Sequence, residues 1–156
     1  MLTSPQELPL SSYIEQVREE IRSLLRSKGM RSTAARLAVL MTLHEKKGPM
    51  NHEQIMAALP AGSFDKASIW RILSNLADRG LLRRMDLGDR IWRYELLDAC
   101  RTVEDDHTHF LCESCGDVLC LPPLEVRARD GALPAALMNA DFQVRVMGRC
   151  ASCTSG

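Results

Sequence analysis

The chain has 156 residues, 46% apolar and 26% charged, which excludes wholesale disorder and allows one domain or two small ones. No apolar run approaches the ~20 residues needed to span a bilayer, and the stretch MLTSPQELPLSSYIEQVREE has no segment of signal-peptide character, so the sequence predicts a soluble cytoplasmic protein without membrane partners. The 20 basic and 20 acidic residues cancel, but unevenly: residues 1–96 hold 15 Lys/Arg against 11 Asp/Glu, net +4, and residues 97–156 hold 5 against 9, net −4. This asymmetry predicts two domains with different partners, the first facing something anionic.

In chain order, Ser12 and Glu15 have the spacing of a capping box. Ile14, Val17, Ile21, Leu24 and Leu25 then recur at helical spacing, and Gly29 supplies a stop. Thr33 can cap a second helix through about His44, with Leu37, Leu40, Met41 and His44 near one stripe. Asn51 opens a short third helix that must end before Pro60. Asp65 caps a fourth, whose buried stripe is Ile69, Ile72, Leu73 and Leu76 and whose stop is Gly80. Its opposite face shows Lys66, Trp70, Arg71, Ser74 and Asn75, and Ser68 in its first turn is a further candidate for DNA contact. The next segment, LLRRMDLGDRIWRYEL, alternates with period two around Gly88-Asp89 and reads as a β-hairpin. Helices followed by a basic hairpin make a winged helix-turn-helix, in which one helix enters the major groove. Lys66 and Arg71 on the helix, with Arg83, Arg84 and Arg90 on the wing, form the basic cluster expected of a double-stranded DNA binder, and the exposed Trp70 has no core role there.

Residues 97–106 (LDACRTVEDD) break the pattern and carry negative charge, which places a linker between a domain at 1–96 and another at 107–156. In the second, HFLCESCGDVLCL reads as a hairpin with a C-x2-C-G turn, residues 124–140 as a helix broken or kinked by Gly131 and Pro134, and Phe142, Val144 and Val146 as a last strand. Cys112, Cys115, Cys150 and Cys153 form two C-x2-C pairs. Four thiolates around Zn²⁺ make a closed tetrahedral site, hence a structural one. The competing readings are disulfides or a redox-active C-x-x-C, but the βαβ pattern that accompanies the latter is missing.

His107 and His109 are a separate signal, because residues i and i+2 of a strand share a face and both imidazoles can reach one ion. The plainer alternative is two surface histidines after an acidic linker. Glu95, at the end of the wing strand, and Cys120, leaving the second hairpin, are further candidate ligands. Otherwise Glu95 is a solvated strand end and Cys120 a small buried hydrophobe.

The segments RSTAAR (31–36), ASIWRIL (67–73), DRGLL (78–82), HTHFLCESCGDV (107–118) and GRCASC (148–153) together resemble the ferric uptake regulator (Fur) family. The resemblance implies an α+β protein: an N-terminal winged helix-turn-helix DNA-binding domain followed by a small α/β dimerisation domain with a four-cysteine zinc site. It implies a homodimeric, metal-dependent transcriptional repressor, not an enzyme, acting on a palindromic operator with no small-molecule substrate. A structural zinc falls on Cys112, Cys115, Cys150 and Cys153. A second, regulatory divalent metal at the domain hinge falls on His107, His109, Glu95 and a position that family members fill with a carboxylate and this chain fills with Cys120. The family's recognition helix reads T-V-Y-R where this chain reads Ser68-Ile69-Trp70-Arg71, and Arg31 falls where a basic residue often reaches the minor groove. The hinge histidine before the third helix is Pro49 here; His52 lies three residues on and is a substitute ligand to consider, as is Cys100 in the linker.

The thiolate of Cys120 in a set of two nitrogens, one oxygen and one sulfur favours Zn²⁺ over Fe²⁺ or Mn²⁺. The expectation is therefore a zinc-responsive (Zur-like) regulator. Its alternatives are an iron- or peroxide-responsive member of the same family, a constitutive DNA-binding module with only a structural zinc, and a thiol oxidoreductase. The last lacks any legible nucleophile–base arrangement.

Overall fold

A computed structural model describes residues 10–46, 48–97 and 108–122, and those from 124 to 154 except 126, 128, 130, 132, 133 and 139–143. The chain divides into two compact units, one built from residues up to 86 together with 91–97, the other from the loop 87–90 and the described residues beyond 107.

The first unit comprises helices α1 (Leu10–Ser27), α2 (Ala34–Lys46), α3 (His52–Ala58) and α4 (Lys66–Asp78), with strands β1 (Met50–Asn51), β2 (Leu82–Asp86) and β3 (Trp92–Leu96). The strands form an antiparallel sheet in the order β1-β3-β2, with Leu82 opposite Leu96, Arg84 opposite Tyr94 and Met50 opposite Tyr94 on the other side. The hairpin and helices make the winged helix-turn-helix that the alternation and capping signals predict.

Local chemistry sets the helix ends. Thr33 Oγ1 accepts from the Arg36 N–H at 3.3 Å. Asn51 and Gln54 form a reciprocal capping box at 2.8 and 2.9 Å, and Asp65 accepts from the Ser68 N–H at 2.8 Å. At Gly29 and Gly80, both at φ +67°, the chain turns left-handed and the following N–H reaches back to a helix carbonyl: Met30 to Leu25 and Leu81 to Leu76, each at 2.9 Å. Glycine is the residue that adopts this conformation without strain. The expected box at Ser12 does not open α1, because Leu10 and Ser11 before it are already helical.

The core collects Val17, Ile21 and Leu25 of α1, Val39, Leu40 and Leu43 of α2, Ile55 of α3, Ile69, Leu73 and Leu76 of α4, and Tyr94 of β3. The buried stripe of α2 is shifted from the expected one. Leu37 and Met41 are only partly buried, and Val39 and Leu43 are enclosed, because α2 packs against α1, α3, α4 and β3 and not on a single face.

The second unit holds β4 (His109–Cys112), β5 (Val118–Cys120), β6 (Val146–Gly148) and a single-turn helix α5 (Ala151–Thr154). The sheet order is β5-β4-β6, with β4 antiparallel to β5 and parallel to β6. Two expectations are corrected. No α-helix forms among the described residues of 124–140; Ala135–Leu137 make a single 3₁₀ turn after Pro134, as the left-handed Gly131 (φ +81°) and the proline interrupt any longer ladder. The last strand is Val146–Gly148, so Val144 precedes it and Phe142 lies outside the described residues. The linker expected at 97–106 lies, but for Leu97, outside them too.

The Asp65 cap gives the first test. Hydrogen bonds from the Ser68 hydroxyl and N–H hold its carboxyl below the usual value of 3.8. A depressed carboxylate stabilises the fold above its unfolded-state pKa and loses that contribution as the pH falls through the lower folded-state value. Asp65→Ala should lower the melting temperature followed by circular dichroism at neutral pH, with the difference from the parent closing only below pH 3.8. Asp65→Asn, which keeps an acceptor, should retain most of the stability.

Candidate metal centre and nucleic-acid interface

The β4–β5 hairpin turns through Glu113-Ser114-Cys115, closed by the Gly116 N–H to the Cys112 carbonyl and the Cys112 N–H to the Asp117 carbonyl, both at 2.9 Å. Because β6 runs alongside β4 with Gly148 opposite Cys112, the second C-x2-C pair leaves β6 directly beside the first. The sulfurs of Cys112, Cys115, Cys150 and Cys153 all lie within 4.8 Å of one another, and Cys115 Sγ is 3.9 Å from Cys150 Sγ. With Zn–S bonds of about 2.3 Å, the edge of a ZnS₄ tetrahedron is about 3.8 Å. None of the five described cysteines is in a disulfide.

Electrostatics test the fit of a cation. The N–H groups of Cys115 and Cys150 donate to Cys112, the latter at 3.3 Å, and bring its thiol down to about 6. Cys115 is pushed up to about 12: the Asp117 N–H favours its thiolate, but the interaction with Cys112, burial and the other two sulfurs outweigh it. Cys153 is also raised, although the Ser114 hydroxyl alone would lower it; hydrogen bonding with Cys150 and loss of solvent drive the change. Cys112 thus favours the negative charge while Cys115 and Cys153 are held toward their protonated forms. All four can ionise together only around a cation. The donor set and spacing suit tetrahedral Zn²⁺ with no open position.

The remaining metal candidates fare differently. His109 stands directly opposite Cys120 across the β4–β5 ladder, both half-buried, a pairing that brings Cβ atoms to about 5 Å. Glu95 is 4% exposed, so it is not a solvated strand end; it lies opposite Arg83 in the β2–β3 ladder. His107 and Cys100 lie outside the described residues. His52, the first residue of α3, is engaged with α4: its Nε2–H donates to the Lys66 carbonyl at 3.1 Å and its ring meets Trp70 edge-on at 5.7 Å.

On α4, the stripe Ile69, Leu73 and Leu76 is fully buried, which turns Lys66, Trp70 and Arg71 outward, with Ser68 and Asn75 half-buried between them. Arg71 Nη2 donates to Ser68 Oγ at 3.2 Å. Arg31 is exposed in the α1–α2 connection. On the wing, the Arg84 guanidinium covers the Trp92 ring at 4.2 Å. Arg83 projects from the other face of the same strand, as period-two alternation requires, and is half-buried where Arg84 is exposed. Arg90 sits in the connecting loop at φ +61°.

One residue escaped the sequence reading. Arg36 donates from Nη1 to the Arg31 carbonyl at 2.8 Å and from Nη2 to Asn75 Oδ1 at 3.2 Å, tying the Arg31 segment to α4. The available signal was an arginine in the first turn of α2, where the helix dipole disfavours a cation unless it has acceptors elsewhere.

A winged helix joined to a module that gathers four thiolates defines a class, the DNA-binding proteins with a separate metal-holding domain. Residues 27–133 match the Ferric uptake regulator family, and the chain belongs to it. It is thus a metal-responsive DNA-binding transcription regulator, not an enzyme, of a family whose members bind DNA as dimers. The chain is 27% identical over 139 residues to the ferric uptake regulation protein of Haemophilus ducreyi, covering 85% of this chain and 90% of that one. The ferric uptake regulator of Vibrio cholerae shares the fold with a TM-score of 0.59 at 18% identity, over 83% of this chain and 98% of that one. A zinc uptake regulator solved with zinc and DNA does so at 0.51 and 18%, over 91% and 95%. Among the described residues, no helix is long and apolar enough to cross a membrane.

Cys112 supplies the test of the cluster. It is fully buried, while the core of the first unit is made from residues 17–94 alone. Cys112→Ser should cost about one zinc per chain by elemental analysis and abolish the dimer in sedimentation, while the helical circular dichroism of α1–α4 persists. Full zinc retention would show that the cluster is not the structural site.

Proposed function

We propose that this chain is a zinc-responsive transcriptional repressor that binds a palindromic operator as a homodimer in the cytoplasm. In this reading residues 1–96 contact DNA, 97–106 are the hinge and 107–156 dimerise. A structural Zn²⁺ is held by Cys112, Cys115, Cys150 and Cys153, and a second, regulatory Zn²⁺ by His107, His109, Cys120 and Glu95. Lys66, Ser68, Trp70, Arg71 and Asn75 enter the major groove, Arg84 and Arg90 meet phosphates beside it with Arg83 in support, and Arg31 reaches the minor groove.

The observation that carries the metal preference is the pairing of Cys120 with His109 across β4–β5. It sets an imidazole and a thiolate side by side where a carboxylate would suit iron or manganese, and softer donors select zinc. The regulatory ion acts by differential affinity. It binds more tightly to the arrangement in which two recognition helices are about 34–36 Å apart, one turn of DNA, and so populates that arrangement.

Elemental analysis before and after a mild chelator should give about two zinc ions per chain, one easily removed. A single retained ion would favour the constitutive module. His109→Ala should leave a folded dimer whose operator binding no longer responds to zinc; undiminished metal dependence would refute the regulatory assignment. Cys120→Asp should shift the metal preference from zinc toward manganese or iron by about tenfold or more. No shift would return the chain to iron or peroxide sensing. Arg71→Ala should weaken operator binding by about 1–3 kcal/mol in a titration if it reads a base edge, and equal loss on random DNA would make it a phosphate contact.

A further inference from the structure

Trp70 is 45% exposed on the outward face of α4, in the chain's recognition position. An exposed tryptophan on a helix keeps two χ1 wells and a broad χ2, so it pays an ordering cost when it docks. Here one neighbour removes that freedom. The His52 ring meets the indole at 5.7 Å between centroids and 60° between planes, an edge-to-face contact. His52 itself is fixed at both ends. Its backbone opens α3 inside the Asn51–Gln54 capping box, and its Nε2–H donates to the Lys66 carbonyl at 3.1 Å. That carbonyl is the one to which the Trp70 N–H is directed by the helical i→i−4 pattern. Ring and backbone of the Trp70 turn are therefore held by a single side chain from the preceding helix.

We infer that His52 is a positioning residue for base reading: it locks the Trp70 indole in one rotamer, in register for apolar contact with a thymine methyl in the major groove. The inference rests on the reading of α4 as the groove-entering helix. His52 makes the contact specific without touching DNA, and the chemistry it serves is the 5-methyl group that distinguishes thymine from uracil and cytosine. This role also accounts for the first residue of α3 without calling on metal ligation.

The test uses the full zinc-loaded chain, a duplex selected by it from a randomised library, and a scrambled duplex of the same composition. His52→Ala should weaken the selected duplex about fivefold, the size of an aromatic pair contact, and the scrambled duplex by about twofold or less. Replacing thymines one at a time by uracil should reveal one position where the parent loses affinity and His52→Ala does not. His52→Phe, which keeps a ring, should restore the affinity and the uracil sensitivity, whereas His52→Gln, which keeps a donor for Lys66, should not. In a Trp70→Ala background His52→Ala should add nothing. Equal losses on both duplexes, additive losses with Trp70→Ala, or a zinc ion lost per chain on His52→Ala would each overturn the inference. If Trp70→Ala weakens the selected duplex and His52→Ala does not, the positioning role alone fails. If Trp70→Ala has no effect, the reading of α4 fails and takes this inference with it.

Discussion

The second unit depends on the convergence of four cysteines. Among its described residues only Leu111, Cys112 and Val118 are buried apolar side chains, so its three short strands enclose little apolar surface of their own. Cys112 is both a core residue and a candidate ligand. Its side chain is fully buried while its sulfur receives two backbone N–H groups, which favour its thiolate. The cost of gathering the other three sulfurs next to it is electrostatic, and a divalent cation is the group that removes it. In the proposed reading, a metal here takes the part that a larger apolar core plays in the first unit.

In the first unit the constraint is of the opposite kind. Helix α4 is anchored by a fully apolar stripe, and everything functional is what the stripe leaves outside. The polar side chains on the outer face are partly spoken for: Asn75 accepts from Arg36, Ser68 accepts from Arg71 and the Lys66 carbonyl accepts from His52. These bonds fix the side chains of Asn75, Arg36, Ser68, Arg71 and His52, which would otherwise rotate more freely at a helix surface. Reading heads built this way lose less conformational entropy on contact than unsupported side chains do.

The legibility of these features in the sequence follows their range. The caps at Thr33, Asn51 and Asp65, the Gly80 stop, the α4 stripe and the alternation of the wing are local and were readable, because each rests on residues within one or two turns. The adjacency of the two C-x2-C pairs was readable from spacing and strand order. The region 124–140 was misjudged because apolar and alanine residues suggest a helix while Pro134 and Gly131 decide against one, and a proline penalty of about 3 kcal/mol outweighs the summed propensities of a short segment. The displaced stripe of α2 reflects tertiary packing on several sides, which periodicity alone cannot reveal. The bonds of Arg36 and His52 to α4 span 39 and 14 residues. No single-residue pattern encodes such pairings, although an arginine in a helix's first turn was a usable hint.

Charge connects these points to recognition. A chain of zero net formal charge, with only a modest positive excess in residues 1–96, gains little long-range attraction to DNA from its overall field. Discrimination then has to come from base contacts, and Trp70 and Arg71 are the outward side chains of α4 suited to make them. The network of Arg36, Ser68 and His52 is the structural answer to that demand. In the proposed reading, a weakly charged reader gains specificity by holding its few contacts rigid, and an ion that biases the geometry of the dimer acts on binding through its differential affinity for that geometry.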